Sequence, residues 1–238
     1  MTSVPMLMYH RVAEPPSDTR HPEIFVSPRR FAEQLAALRA LGCTVLPLSA
    51  YVAYRRGERD LPPRPVVLTF DDGYLDNYEH AFPLLREFDC GATIFLVSSL
   101  VGGTNVWDPE EPRAPLLHCG HVREMQRAGV DFQSHTRTHA RLTALGPSCA
   151  LAELRDSRDA LEQMLGARVE SVAYPWGAHD DAVCRVAEDA GYDAGVIVRR
   201  RTNFDDTPRF ALRRIGVWGS TSVGRLTWDL MRLRFRGE

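Results

Sequence analysis

Residues 65–73 read Pro-Val-Val-Leu-Thr-Phe-Asp-Asp-Gly. The first six form a short apolar run with β-branched members, the mark of a strand buried on both faces. The run stops at two adjacent carboxylates and a glycine. Working outward, similar runs at 4–12, 44–48, 92–101, 130–134, 171–174, 194–198 and 212–217 also read as strands. Helices are predicted between them. The first opens at Ser27 as cap with Pro28 in its first turn, carries Phe31, Leu35, Leu38 and Leu41 at helical spacing, and stops at Gly42. Others are predicted over 77–88, up to about 128, 148–165, 181–190 and 223–235. Residues 55–64 read as a charged surface loop, and 102–115 as a Gly/Pro/acidic insertion. Strand and helix alternate throughout, which predicts an α/β fold with parallel strands, either a barrel or a doubly wound sheet. In both, chemistry collects at the C-terminal strand ends. One domain over 1–238 accommodates all of it.

Composition narrows the partners. The formal net charge is -2 with histidine neutral. Nucleic-acid binding shows itself as a strongly basic patch or domain, so no nucleic-acid partner is expected. All 29 basic residues are arginine, which excludes a Schiff-base lysine and a P-loop lysine. The five cysteines, Cys43, Cys90, Cys119, Cys149 and Cys184, are odd in number and widely spaced. They read as free thiols of a reducing compartment. The first ten residues lack a basic segment followed by an apolar one, and no apolar run reaches the ~18 residues of a spanning helix. The expectation is a cytoplasmic protein without signal peptide or transmembrane segment.

Three motifs carry chemistry. Asp71 and Asp72 end a buried strand, where successive side chains point in different directions. One carboxylate can hold a metal while the other faces a water as general base. An Asp-Gly turn is the competing explanation of the pair alone. Residues 134–139, Ser-His-Thr-Arg-Thr-His, set His135 and His139 four apart. On a helical turn that spacing puts both imidazoles on one face. Thr136 stands where the zinc-protease signature has Glu, so the base has to come from elsewhere. Two histidines and an aspartate suit zinc or a similar divalent ion. Residues 174–177, Tyr-Pro-Trp-Gly, end a further strand. A turn there can aim a backbone N–H at an oxyanion, and Trp176 can wall a sugar ring. A Pro-Gly turn with a core tryptophan explains them equally well.

In this order the motifs resemble those of polysaccharide deacetylases with a NodB-type domain. Residues 7–12, 26–31 and 212–217 extend the resemblance over nearly the whole chain. It implies a deformed (β/α) barrel of about seven parallel strands and hydrolysis of an N-acetyl group on a saccharide to acetate and free amine. Asp71 would be the general base. Asp72, His135 and His139 would hold one divalent ion, Zn2+ first, with Ni2+, Co2+ or Fe2+ as alternatives. Tyr174, Pro175 and Trp176 would form the substrate wall and oxyanion site. Members of the usual topology carry a late general-acid histidine, but none follows His179 here. The branch resembling poly-N-acetylglucosamine deacetylases is circularly permuted, and His10 matches that motif at the start of the chain. His10 is therefore expected as general acid, with Leu7 or Met8 near the acetyl methyl. The family arginine that orients the base is replaced by Ala173, and Arg214 is expected to substitute in preference to Arg213.

Other histidines are expected to have no role. His118-Cys119-Gly120-His121 looks like half a zinc site without a second half. His21 and His80 read as surface positions, and His179 follows the Trp176 turn. The last helix mixes Arg225, Arg232, Arg234 and Arg236 with Leu226, Trp228, Leu230, Met231, Leu233 and Phe235. Packing on the barrel with arginines outward is preferred to peripheral contact with an anionic membrane. The expected substrate is an N-acetylated saccharide, whether a polysaccharide, an oligosaccharide or a sugar-containing intermediate, and for a cytoplasmic enzyme a nucleotide- or lipid-linked sugar or an N-acetylated glycoside. The alternatives are an amidase on a small non-sugar amide and an inactive carbohydrate-binding protein.

Overall fold

The computed structural model of the chain describes residues 3–236. Its strands are β1 (Met6–Tyr9), β2 (Arg11–Val12), β3 (Phe25–Val26), β4 (Thr44–Leu46), β5 (Pro65–Phe70), β6 (Thr93–Leu96), β7 (Asp131–Ser134), β8 (Ser171–Ala173), β9 (Ala194–Val198) and β10 (Leu212–Gly216). Its helices are α1 (Pro28–Ala40), α2 (Leu48–Arg55), α3 (Phe82–Glu87), α4 (Cys119–Arg127), α5 (Pro147–Leu165), α6 (Asp181–Asp189) and α7 (Val223–Arg236). Seven strands close into a ring, β1-β10-β9-β8-β7-β6-β5 and back to β1, with every pairing parallel. This is the deformed barrel that the motifs implied. β4 pairs with the first half of β5 without entering the ring. β1 fills the place between β10 and β5, where a strand following β10 would otherwise stand. A histidine just past the end of β1 thus stands between the ends of β10 and β5.

Period-two alternation decides what each strand presents. On β5, Val66, Leu68 and Phe70 face the helices, whereas Val67 joins Met6, Phe95, Ala173, Val196 and Leu212 in the barrel interior. Carried one step past the strand, the interior phase falls on Asp71. The same phase runs through Met6 and Met8 to His10, and through Leu212 to Arg214. On β7 the outward Phe132 leaves Gln133, and then His135, to the inside. Four strands therefore aim polar side chains into one mouth of the barrel.

The helices form for local reasons and stay for their packing. Ser27 accepts the Arg30 N–H at the start of α1, Pro28 follows it, and Phe31, Leu35 and Leu38 are buried. α2 was not expected. It inserts Leu48, Tyr51 and Val52 among the interior side chains, and the Leu48 N–H donates to Thr93 Oγ1 at the first residue of β6. It covers the barrel end opposite the polar mouth, so it lacks the polar stripe that marks a surface helix. The expected strand 92–101 stops at Leu96, and the expected helix 77–88 divides into a π-helical turn over Asn77–Ala81 and α3. α7 lies on α1 with Leu226 and Leu230 buried, and Trp228 and Met231 are exposed. The side chains of Leu233, Arg234, Phe235 and Arg236 lie outside the described residues. No helix of the described residues is long and apolar enough to cross a membrane.

Candidate active site

Asp71 follows β5 and is buried, and its N–H donates to the Tyr9 carbonyl at 3.0 Å. Its two oxygens accept from Arg214 Nη1 at 2.6 Å and Nη2 at 2.8 Å. Nη1 also donates to Thr69 Oγ1, and the guanidinium lies 5.4 Å from the centre of the Phe95 ring. Arg214 is completely buried, so its charge stands only because the carboxylate meets its planar fork with two parallel hydrogen bonds. Burial pushes the Asp71 carboxyl up, but Arg214 beside it, helped by His135 and His10, outweighs this and holds it below its ordinary value. Arg213, one residue away, falls on the other face of β10.

Asp72, His135 and His139 converge next to this pair, all three buried, with their ligand atoms within 4.8 Å of one another. Nε2 of His135 and Nε2 of His139 each lie 3.3 Å from Asp72 Oδ1. His135 Nδ1 sits 2.8 Å from the Ala173 carbonyl, which can only accept, so Nδ1 carries the hydrogen and Nε2 presents a lone pair. A lone pair facing a carboxylate oxygen in a buried spot calls for positive charge between them. The donor set, two imidazoles and one carboxylate, therefore fits a divalent ion, and the Ala173 carbonyl holds the His135 ring with Nε2 turned to it. Burial pushes the Asp72 carboxyl up, yet the facing imidazoles in their protonated form hold it well below its ordinary value, the same positive charge that a bound cation would supply.

The two histidines meet by a different route from the expected helical turn. Residues 135–139 are not helical. Thr136 (φ 64°) and His139 (φ 66°) adopt the left-handed region, and Thr136 Oγ1 accepts the His139 N–H at 3.1 Å. The loop folds His139 back until the imidazole centres are 4.8 Å apart. Asp72 (φ 75°) and Trp176 (φ 62°) are left-handed too. Such non-glycine conformations cost on the order of 1–3 kcal/mol each and persist where packing over-determines them.

These residues form one wall of a cleft of about 500 Å³. His10 enters it from the end of β1, its ring stacked 5.8 Å from Trp218, with Nδ1 buried and unpartnered. Met8 lines the cleft, whereas Leu7 packs outward in the helix-facing core. Tyr174 is buried, with its hydroxyl donated to the Phe210 carbonyl at 3.1 Å, and Pro175 is buried beside it. Trp176 is half exposed at the rim, edge-on to His139.

The family model described as polysaccharide deacetylase matches residues 58–195. The chain belongs to that family. The matched span holds Asp71, Asp72, His135, His139 and Trp176, while His10 and Arg214 lie outside it. Longer likenesses cover more of the chain. YxkH of Bacillus subtilis is 28% identical over 215 residues, which are 90% of this chain and 71% of YxkH. The poly-beta-1,6-N-acetyl-D-glucosamine N-deacetylase of Staphylococcus epidermidis is 26% identical over 199 residues, 80% of this chain and 67% of the relative. Among solved structures, the Streptococcus pyogenes deacetylase PplD in complex with acetate superposes with a TM-score of 0.85 at 26% identity, covering 96% of this chain and 98% of PplD.

Several cleft residues of this family member were not legible in its sequence. Trp107 from the 102–115 insertion stacks on His139 at 4.6 Å, and Tyr74 packs against Trp107. Asp108, Glu111 and Glu23 complete that rim. His21, expected at the surface, borders the cleft with Nε2 3.5 Å from an Asp108 oxygen. Glu111 accepts from Thr19 Oγ1 and from the Arg20 N–H, tying the insertion to the loop before β3. Trp218 was missed as well. The one available signal was an aromatic residue in a polar loop, which does not say where the loop folds. His118 caps α4 by accepting the Gly120 and His121 N–H groups at its Nδ1, and His80 is exposed. His179 stacks on Tyr174 behind the turn.

Proposed function

We propose that this chain is a metal-dependent N-deacetylase that hydrolyses the acetamide of an N-acetylated saccharide to acetate and a free amine. The observation that carries the reading is the buried Asp72–His135–His139 cluster beside the Asp71–Arg214 pair at one mouth of the barrel, in a member of the polysaccharide deacetylase family. A divalent ion held by the three ligands would supply Lewis-acid activation of water and polarisation of the acetamide carbonyl. Asp71, kept ionised and aligned by Arg214, accepts the proton of the attacking water. The Trp176 N–H, on a residue fixed in a left-handed turn, stabilises the oxyanion that develops on the carbonyl oxygen. His10, braced on Trp218, gives a proton to the departing amine. Met8 packs against the acetyl methyl, and Trp176 walls the sugar ring.

Mass spectrometry of N-acetylated sugars incubated with the metal-loaded protein tests this. The expected result is a loss of one acetyl mass, with Asp71→Asn lowering the rate by about 10²-fold or more, as for removal of a general base. Activity that survives Asp71→Asn would remove Asp71 as the base. A protein that binds no divalent ion and releases no acetate would instead be the inactive carbohydrate-binding alternative.

A further inference from the structure

A second pocket of about 460 Å³ adjoins the active-site cleft, and Val198 and Trp218 line both. Trp218 stands between them because Gly216 has no side chain. A Cβ at Gly216 would lie 2.6 Å from the indole Cζ2. The loop carrying the indole is clamped from several sides. Gly219 donates its N–H to the Glu23 carbonyl, and its own carbonyl accepts from Arg30. Gln34 Nε2 donates to the Thr221 carbonyl at 3.0 Å. The partition is therefore held in place, and the cleft and the pocket meet at it.

The chemistry of the pocket differs from that of the cleft. Its charged lining is Arg200, Arg225 and Asp229. Both arginines turn to the one buried carboxylate, Arg200 through Nη2 and Arg225 through Nε at 3.2 Å, so the group carries one net positive charge. Both guanidiniums remain about half exposed, leaving N–H donors free to turn to a ligand. Arg199 and Arg201, also exposed, flank Arg200 at the end of β9. Ser220 and Thr221 complete the polar wall at the start of α7, whose positive dipole end lies there. The cleft side of the partition carries Glu23, whose carbonyl holds Gly219, and next to it Asp108 and Glu111. An anionic group is repelled on the cleft side of the indole and attracted on the pocket side, which would orient the sugar.

We infer that this pocket holds a phosphate group of the substrate, and that the substrate class is an N-acetylated sugar bearing a phosphate ester. The inference rests on the N-deacetylase reading for the reaction, and on the arginine-lined pocket beside the cleft for the phosphate. A 2-acetamido sugar with a phosphate at its anomeric carbon carries the two groups on neighbouring ring carbons. Such a substrate suits two cavities that share Trp218 and Val198 as a wall, one holding the metal-ligand cluster and His10, the other the arginines. Guanidinium is the side chain best fitted to phosphate, through paired charge-assisted hydrogen bonds.

Two measurements test it. The first titrates inorganic pyrophosphate into the metal-loaded protein by calorimetry. Saturable binding is expected, weakened about tenfold or more, ~1.4 kcal/mol or more, in Arg200→Gln/Arg225→Gln/Asp229→Asn. That variant leaves no buried carboxylate unpaired, and Arg225→Gln alone is the milder control, with a smaller loss expected in the same direction. No binding, or equal binding by wild type and triple variant, overturns the pocket assignment. The second compares acetate release from a nucleoside-diphosphate N-acetylglucosamine, a polyprenyl-diphosphate N-acetylglucosamine in detergent and neutral N-acetylglucosamine oligomers. One phosphate-bearing substrate is expected to exceed the neutral oligomers in kcat/KM by about tenfold or more, with the ratio collapsing in the triple variant. Preference for the first or the second identifies a nucleotide or a lipid source. Equal kcat/KM for all three overturns the substrate class. Arginine-dependent pyrophosphate binding with no acetate released from any substrate would support the pocket and remove the deacetylase reading.

Discussion

Arg214 and Asp71 are each costly alone at their depth, and together they satisfy each other. Replacing Arg214 with Gln leaves a buried carboxylate without its partner, and the expected destabilisation is about 3–5 kcal/mol. Thermal melts of the metal-loaded protein measure it. The pair also shapes the pH response. Because the Asp71 carboxyl is held below its ordinary value, the contribution of the pair to folding is fully present above the unfolded value of about 4. It is lost as the pH falls through the lower folded value. The base is active when ionised, so Arg214→Gln moves the acid limb of kcat/KM to higher pH, while Arg214→Lys moves it less. An acid limb that stays in place would show that Arg214 does not tune the base. At this scale much was legible. Strand alternation alone separates Arg214 from Arg213 once β10 is placed, and it separates Asp71 from Asp72. What the residues could not show is that the His135–His139 spacing works through a left-handed loop. A spacing of four fits a helix and a folded loop alike, and the choice was made by the Thr136–His139 hydrogen bond and the surrounding packing.

Elements position the site through close contacts that tolerate little. Gly195 on β9 faces the Tyr174 ring, where a Cβ would lie 2.1 Å from the phenol oxygen. Tyr174 opens the turn that carries Trp176. Gly195→Ala is therefore expected to cost about 1–3 kcal/mol by overpacking and to slow turnover by displacing that turn. Circular dichroism melts and acetate release would measure the two effects, and an unchanged Tm would show that the tyrosine can yield. The insertion over 102–115 gives a second case. It lays Trp107 flat on His139, so Trp107→Ala should loosen a metal ligand and weaken divalent-ion affinity by about 10-fold, as outer-shell substitutions do. Competition against a chelating dye reads that affinity. The insertion was visible as a loop in the sequence, and its landing point was not. α2 was invisible for the opposite reason, since burial among interior side chains removes the amphipathic stripe by which helices are recognised.

On the scale of the whole molecule the three proposed ligands come from two places far apart in sequence, Asp72 past β5 and the His135–His139 pair past β7. An ion held by all three ties two strand ends of the ring together. It binds the folded chain alone, so it stabilises the fold by mass action, about 2.7 kcal/mol at a hundredfold excess over Kd. For a domain of this size that is roughly 5–10 °C in Tm. Chelation should lower Tm by this order and abolish acetate release, and Asp72→Asn should show no Tm response to added ion. Equal melting with and without chelator would remove the cluster as a metal site.

The sequence by itself determined the alternation of strands and helices and the motif residues at the strand ends, among them Asp71, Asp72, His135 and His139. Those features are local, because side-chain periodicity and strand-ending turns are written in neighbouring residues. Tertiary structure alone decided the closure of the ring through β1, which side chains face its interior, the loop that folds His139 back, and the presence of Trp107, Trp218 and the acidic residues in the cleft. It also set the arginine-lined pocket beyond Trp218. Each of these depends on contacts between segments far apart in the chain, whose energies no local pattern records.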